Sequence, residues 1–567
     1  MAVKIRETEL VLSRRLEGRS VEATASGALR LPPELPDAGT PIRWRAVAAV
    51  ERVAVDAGAG RLEARGVVRV WAVYAAAASE SPDPAGALYG GRLEGELPFT
   101  ATAELPPDGA EARWEAAVQV RDVDGRFRAD GRTADVDAVV GVNLTGVVNE
   151  TTTAVSQVTA TPPDRVEAAH ATLRLSLFQG GQRTRLALEE AHGLDLPGGA
   201  AARLRVLDLQ VEPVITGTEA RPGEVLVRGE TAFALLYAVQ RHPEAPGAPE
   251  GDQAAGDPEP ESAAAVRPAR LWDVQLATWT GAEGWETTLP MEGVGPGSRL
   301  RAQARTADAV VRLLPADGLV YVTCQVDVEV QAWAVRSVPA VADIRASGPA
   351  AVETRKVQLR LDSPAGEGRR TFTAGGTVEI AGPLPPVERL VWSGVQVDSI
   401  SLRPDAGRVH VTASLTPWAY YLPYKPDARA PGLVFAFWPG AVSLEQTVSV
   451  PDLKPEAEVS ATLAALAVEA DLISRQTVEF TVSGTCAVEA RLAVSQEVVA
   501  EAVTVRAAGE RRPSIFLVVT QPGDTLWKLS RRYQTPAQRL LATNPALGAQ
   551  EETAPLPAGT RLFVVRE

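Results

Sequence analysis

Few residues of this chain are spaced for covalent chemistry. The four histidines, His170, His192, His242 and His410, are scattered, with no carboxylate or cysteine at metal-ligand spacing, so no catalytic or metal centre is expected from them. Asp122-Val-Asp-Gly125 matches part of a calcium-binding loop, but the third acidic ligand and the closing Glu are misplaced, and a hairpin turn at Asp124-Gly125 is the expectation. Gly293-Val-Gly-Pro-Gly-Ser298 is glycine-rich, yet it has no Lys and Pro296 interrupts it, which does not suit a phosphate loop. The aromatic group Trp418, Tyr420, Tyr421 and Tyr424 has two readings, a sugar or protein platform and a packed strand end. Aromatics are common on strands, which favours the second. The chain is therefore expected to be no enzyme and to carry no catalytic residue, metal or cofactor.

The sharper signal lies in residues 515–565. Val518 and Val519 end a short apolar run, and Pro522-Gly523 is a strong turn. Asp524 is placed to cap a helix. Leu526, Leu529, Ser530 and Tyr533 then fall at i, i+3, i+4 and i+7, one helical face. Thr535-Pro536 repeats the start signal, Leu540 and Leu541 give a second helix its buried side, and Asn544-Pro545 stops it. Leu556-Pro-x-Gly559 turns the chain into a last strand at 561–565.

Through Gly523-Asp-Thr-Leu-Trp527, Asn544-Pro545 and Leu556-Pro-x-Gly559 this stretch resembles a LysM domain, a small βααβ module that binds N-acetylglucosamine polymers or a protein partner. The resemblance implies a binding groove formed by Gly523, Asp524, Thr525, Leu526, Asn544 and Pro545. Exposed backbone N–H and C=O groups at a helix start and a facing loop are the groups that would pair with an N-acetyl moiety. The segment Ala546–Pro555 is longer and more acidic than common LysM patterns, with Glu551 and Glu552 where a sugar groove has a short wall. Carboxylates there suit a basic or amide-rich protein surface and favour docking on protein over glycan.

What surrounds this module is bounded by composition. At 567 residues the chain is multi-domain. Two cysteines exclude a disulfide framework and a multi-cysteine zinc site. A net charge of −14 argues against nucleic acid as partner. Met1–Glu9 has no apolar h-region, so no signal peptide is expected. No apolar run approaches the roughly 20 residues of a membrane span, so membrane insertion is not expected and the cytoplasm is the expected compartment.

Internal repeats organise the rest. Leu35-Pro36, Leu196-Pro197 and Leu384-Pro385 each lead two strand-like runs ending near a tyrosine, at Tyr74, Tyr237 and Tyr421. A second Pro-marked turn recurs at Leu105-Pro106, Leu289-Pro290 and Val450-Pro451. Val320 to Val330 and Val478 to Val488 alternate apolar and polar residues, the mark of half-buried antiparallel strands, with Cys324 and Cys486 on the apolar phase. The fold class is mainly β. Three tandem antiparallel β-sandwich-like domains, at 1–160, 161–346 and 347–509, precede a small α+β (βααβ) LysM domain at 513–567. Each repeat is long enough to fold alone, and an insert at about 241–270, rich in Pro, Glu and Gly, reads as a disordered loop. Short linkers are expected around Pro162-Pro163, Ser347-Gly-Pro349 and Gly509–Pro513.

This order of modules resembles the SPOCS-domain spore morphogenetic proteins of the SipL-like kind. The resemblance implies a non-enzymatic scaffold of the spore coat, in the mother-cell cytoplasm at the forespore surface, whose LysM engages the coat's basement-layer ATPase or another coat protein. Peptidoglycan or chitin-type glycan is the other partner it allows. The rival reading is a wall-binding component of a phage tail or injection device, which also pairs β domains with LysM.

Overall fold

The structure, a computed structural model, describes residues 3–77, 84–160, 165–194, 203–240, 272–281, 284–314, 319–347, 350–425, 432–506, 514–548 and 550–566. The insert at 241–270, the Leu196-Pro197 marker and the linkers at 162–163, 348–349 and 509–513 lie outside them.

Period-two alternation produces strands throughout, and the same seven-strand order is laid down three times. The first repeat holds β1 (Val3–Arg30), β2 (Ala38–Asp56), β3 (Arg61–Ala76), β4 (Leu88–Arg92), β5 (Leu97–Glu104), β6 (Arg113–Phe127) and β7 (Thr133–Ala160). The second holds β8 (Arg165–Gly193), β9 (Leu204–Arg221), β10 (Glu224–Gln240), β11 (Trp272–Thr280), β12 (Trp285–Pro290), β13 (Arg299–Leu314) and β14 (Leu319–Ser347). The third holds β15 (Ala350–Glu379), β16 (Val387–Asp405), β17 (Arg408–Pro423), β18 (Val434–Phe437), β19 (Val442–Ser449), β20 (Glu458–Ser474) and β21 (Thr477–Arg506).

In each, the third strand is the centre of one antiparallel sheet: β3 pairs β2, β4 and β5, β10 pairs β9, β11 and β12, and β17 pairs β16, β18 and β19. The last strand is the centre of the other, with β7 between β1 and β6, β14 between β8 and β13, and β21 between β15 and β20. Apolar residues of the two sheets meet in one core per repeat, such as Leu62, Val68 and Tyr74 against Ala25, Val140 and Leu144 in the first. Facing sheets of this kind are sandwiches.

The repeated markers have a shared cause. The Tyr74 hydroxyl donates to the Pro36 carbonyl at 2.8 Å, and that of Tyr421 to Pro385 at 3.1 Å. In the first and third repeats the buried tyrosine that ends the third strand pins the Leu-Pro turn that starts the second, whereas Tyr237 donates to Gln275 Oε1 at 2.8 Å. One expectation fails locally: Asp124-Gly125 is no turn but lies inside β6, with Gly125 opposite Val136. A Cβ there would sit 2.7 Å from the Trp44 ring, so the glycine makes room for an indole.

The first and last strands of each repeat are 28 to 30 residues long. At about 3.3 Å per residue they run roughly 90–100 Å, well beyond their own sandwich. Each pair leaves it through a register shift, at Leu16/Arg19, Ala332/Trp333 and Pro364/Gly366. A bulge bends and twists a ribbon, and the three bent ribbons pack on one another. Leu10 and Ala154, Leu173 and Ala340, and Leu359 and Val498 form one core drawn from all three repeats, and Val155, Val341 and Val499 another. A third shared core gathers Val73 and Leu88, Leu236 and Trp272, and Trp418 and Tyr420 from the opposite sheets. The repeats are tandem in sequence and interlocked in space.

Candidate functional site

The last segment contains β22 (Ser514–Val519), α1 (Leu526–Tyr533), α2 (Ala537–Thr543) and β23 (Arg561–Arg566), with β22 and β23 antiparallel. Val518, Leu526, Leu529, Leu540, Leu556, Leu562 and Val564 are its core. The helical faces lie where the spacing puts them, with Tyr533 and Leu541 packed against that core.

Two caps differ from expectation. Thr525, not Asp524, is the N-cap of α1, and its Oγ1 accepts from the Lys528 N–H at 3.1 Å. Asp524 lies one residue earlier, buried, and its Oδ2 accepts from the Gln521 N–H at 2.8 Å, closing the turn through Gly523. At α2 the cap is Pro536, with no side-chain bond, while the buried Thr535 donates to the Val565 carbonyl at 3.2 Å.

The six residues of the expected groove divide by what they already touch. Gly523 and Pro545 are exposed and Thr525 is half-buried. Leu526 is wholly buried, so only its backbone can face a ligand. Asn544 is buried too. Its Nδ2 donates to the Leu540 carbonyl at 2.7 Å and the Phe563 carbonyl at 2.8 Å, and its Oδ1 accepts from the Phe563 N–H at 2.6 Å. That side chain stitches α2 to β23, and a direct ligand contact would have to break those bonds.

The facing loop is laid across the start of α1. The Trp527 N–H donates to the Glu552 carbonyl at 2.9 Å, and the Leu556 N–H to the Asp524 carbonyl at 2.7 Å. Thr525 and Pro555 form a β-bridge, and Lys528 Nζ donates to the Gly523 carbonyl at 2.8 Å. Several backbone groups that a groove would offer are thus satisfied within the module.

The family model that matches this stretch decides its class. Residues 518–565 are a LysM domain. No curated protein and no solved structure matches the chain. A LysM domain is a carbohydrate-binding module without catalytic activity of its own, and the match points to peptidoglycan or N-acetylglucosamine glycans as its class of ligand.

The LysM domain is also held by the body. The Trp527 Nε1–H donates to Asp343 Oδ2 at 2.9 Å, and Arg531 pairs with Asp343 Oδ1. Lys356 Nζ approaches the same oxygen at 3.4 Å. Burial alone would raise the Asp343 pKa. The Trp527 and Arg531 bonds and the Arg531 and Lys356 charges outweigh it and hold the carboxyl below its usual range. The side chain of Trp527, a motif residue, serves attachment to β14.

The other singled-out residues are structural. Cys324 and Cys486 are buried, and burial pushes the Cys324 thiol up to about 11 and raises that of Cys486, so both are inert. His192 packs on Phe233 and Trp279, and burial lowers its pKa. His410 Nδ1 meets Thr447 Oγ1 at 3.1 Å, His170 is exposed on β8, and His242 lies outside the described residues. Among the described residues no group of His, Cys, Asp and Glu could hold a metal ion, and no helix is long and apolar enough to cross a membrane.

Trp418, Tyr420 and Tyr421 are buried, as a packed strand end requires, but two of them do more. Tyr420 donates to Asp208 Oδ2 at 3.0 Å, Arg45 Nε reaches Asp208 Oδ1 at 3.1 Å, and Arg43 stacks 4.4 Å from the Trp418 ring. Three repeats meet on that carboxylate. Sequence reasoning missed Asp208, although Leu207-Asp208-Leu209 puts a charge inside an apolar run, a signal for a paired buried ion.

Proposed function

We propose that this chain is a non-enzymatic scaffold of the bacterial spore envelope, acting in the mother-cell cytoplasm at the forespore surface. The β repeats 1–160, 161–346 and 347–509 serve as its body, and the LysM domain as a docking module for a coat protein such as the basement-layer ATPase. Support comes from the order of modules and from one observation above all: the loop through Glu552 already uses the Trp527 N–H, one of the backbone donors at the start of α1 that a glycan groove would offer. The outer face of β22 and β23 adds to it, exposing Ile515, Leu517, Val519 and Phe563. Apolar surface gathered in this way fits a protein partner better than a hydrated glycan.

Two experiments test the proposal. Calorimetry of the purified chain with chitopentaose is expected to show no saturable heat, while the coat ATPase is retained in a pull-down; sub-millimolar binding of the sugar reverses the choice of ligand. A fluorescent fusion made during sporulation is expected to ring the forespore from the mother-cell side. Diffuse signal, or tail-sheath and tube genes as neighbours, would favour the injection-device reading.

A further inference from the structure

Where the ribbons leave the sandwiches, the second and third repeats enclose a second polar junction, with Arg15 of the first beside it. A cavity of about 220 Å³ opens there, lined by Arg299, Arg301, Trp333, Glu367, Glu489 and Arg491 among others. Its floor is Trp333 of β14, which is 6% exposed and whose indole Nε1–H has no partner. The Arg15 guanidinium, from β1, lies 4.8 Å from that ring, and the Arg491 guanidinium, from β21, lies 5.3 Å from it. Arg15 Nε is buried with no acceptor.

Elsewhere many arginines of this protein find carboxylates: Arg14 pairs with Glu150, Arg185 with Asp327, Arg389 with Asp273. Among the described residues Arg15, Arg299, Arg301 and Arg491 form no such pair. Opposing charge is present but poorly placed. Asp362 accepts from the Arg15 backbone N–H at 3.4 Å, and Glu367 and Glu489 are exposed at the rim. Burial first, then the charges of Arg491 and Arg301, bring the Arg15 pKa down to about 10, and burial lowers that of Arg491. Guanidiniums crowded in a partly dry site, beside an unused indole donor, leave positive potential without an acceptor.

We propose that this junction binds a small tetrahedral oxyanion of the phosphate or sulfate class, held by Arg301 and Arg491 with the Trp333 indole N–H, and by the charge of Arg15 beyond that ring. The donors come from β13, β14 and β21, so they surround a volume and do not present one planar fork. Acceptors pointing in all directions suit them better than the two coplanar oxygens of a carboxylate. The volume, several times the ~30 Å³ share of one water, admits such an ion with residual solvent. Because the second and third repeats supply donors and the first a charge, the bound ion ties the three together.

The test is thermal unfolding of the whole chain in sodium phosphate, against sodium chloride of equal ionic strength and against sodium acetate. At about 10 mM, phosphate is expected to raise the melting temperature by several degrees over both controls. Phosphate also stabilises proteins by exclusion from their surface, so the decisive comparison is the variant. Arg301→Gln/Arg491→Gln is expected to lose the gain, and Trp333→Phe, which keeps the ring and removes the donor, to reduce it. An equal gain in wild type and double variant would overturn the site, and an equal gain from acetate would overturn the class of ion. If the double variant does not fold, calorimetry of the wild-type chain with inorganic phosphate decides: one saturable site per chain supports the proposal, and its absence sinks it.

Discussion

Asp208 is a carboxylate whose side chain is 1% exposed, held by Arg45 and Arg43 of the first repeat and Tyr420 of the third. Burial by itself would raise its pKa. The two guanidiniums, the Tyr420 hydroxyl and the Leu209 N–H more than offset that, and the pKa falls below the usual value. Removing one partner of such a group leaves the others buried and uncompensated, so Asp208→Ala is expected to cost about 3–5 kcal/mol of stability. Tyr420→Phe, which deletes one hydrogen bond, should cost about 1–2 kcal/mol. Urea denaturation measures both, and a loss under about 1 kcal/mol for Asp208→Ala would show that the junction is dispensable. The pH dependence has a definite sign. Because the folded pKa is depressed, the contribution is complete above the unfolded value of about 4. It is lost as pH falls through the folded one, and Asp208→Ala should flatten the acid limb of the stability profile.

At the scale of the element, the LysM domain is a set of short pieces joined by side chains the motif names for another purpose. Thr525 caps α1 and Asn544 ties α2 to β23. In residues 511–567 unfolded by denaturant, Thr525→Ala is expected to cost about 1 kcal/mol, the ordinary worth of a cap. Asn544→Ala should cost more, about 2–3 kcal/mol, since it strands the Phe563 N–H and takes one donor from the Phe563 carbonyl, which keeps Thr543 Oγ1. If Asn544→Ala instead leaves stability unchanged and abolishes ligand retention, the groove role is the right one. Asn544 was legible from the turn pattern as the end of α2, whereas the cap pattern pointed to Asp524 and Thr525 entered only through the motif. Their partners were not legible, because a cap bonds within three residues whereas Asn544 reaches across 19.

The whole molecule changes the expectation that each repeat folds alone. Leu10, Leu173 and Leu359 are buried only because ribbons of different repeats lie against each other. Gly90 of β4 is packed so closely on β9 that a Cβ would stand 1.7 Å from the Leu207 carbonyl oxygen. Residues 1–160 expressed alone are therefore expected to self-associate or melt well below the full chain, as size-exclusion chromatography and a thermal scan would reveal. A monomer as stable as the parent would show the shared cores to be incidental. The LysM domain, by contrast, has its own core, and among the described residues its hydrogen bonds to the body converge on the Asp343 carboxylate. Asp343→Ala should free it and enlarge the radius of gyration in solution scattering without lowering the main melting temperature. Deleting 241–270 is expected to change that temperature by no more than a few degrees, because loop-closure entropy varies slowly with length.

What the residues determined alone is local: period-two alternation gave half-buried strands, the Pro-Gly turns and i, i+4 faces gave the βααβ module, and the recurring Leu-Pro and Tyr marks gave the count of repeats. Each rests on contacts within a strand pair or a helical turn, whose geometry has a fixed period. The sequence also shows Asp208 among leucines and Arg15, Arg301 and Arg491 nearly five hundred residues apart at the extremes, but nothing in their spacing says that they meet. Tertiary structure decided that. Register shifts at Leu16/Arg19, Ala332/Trp333 and Pro364/Gly366 bend three long ribbons onto one another. A bulge is set by packing on a neighbouring ribbon, which no local pattern encodes. The junctions where charges converge are a consequence of that bend.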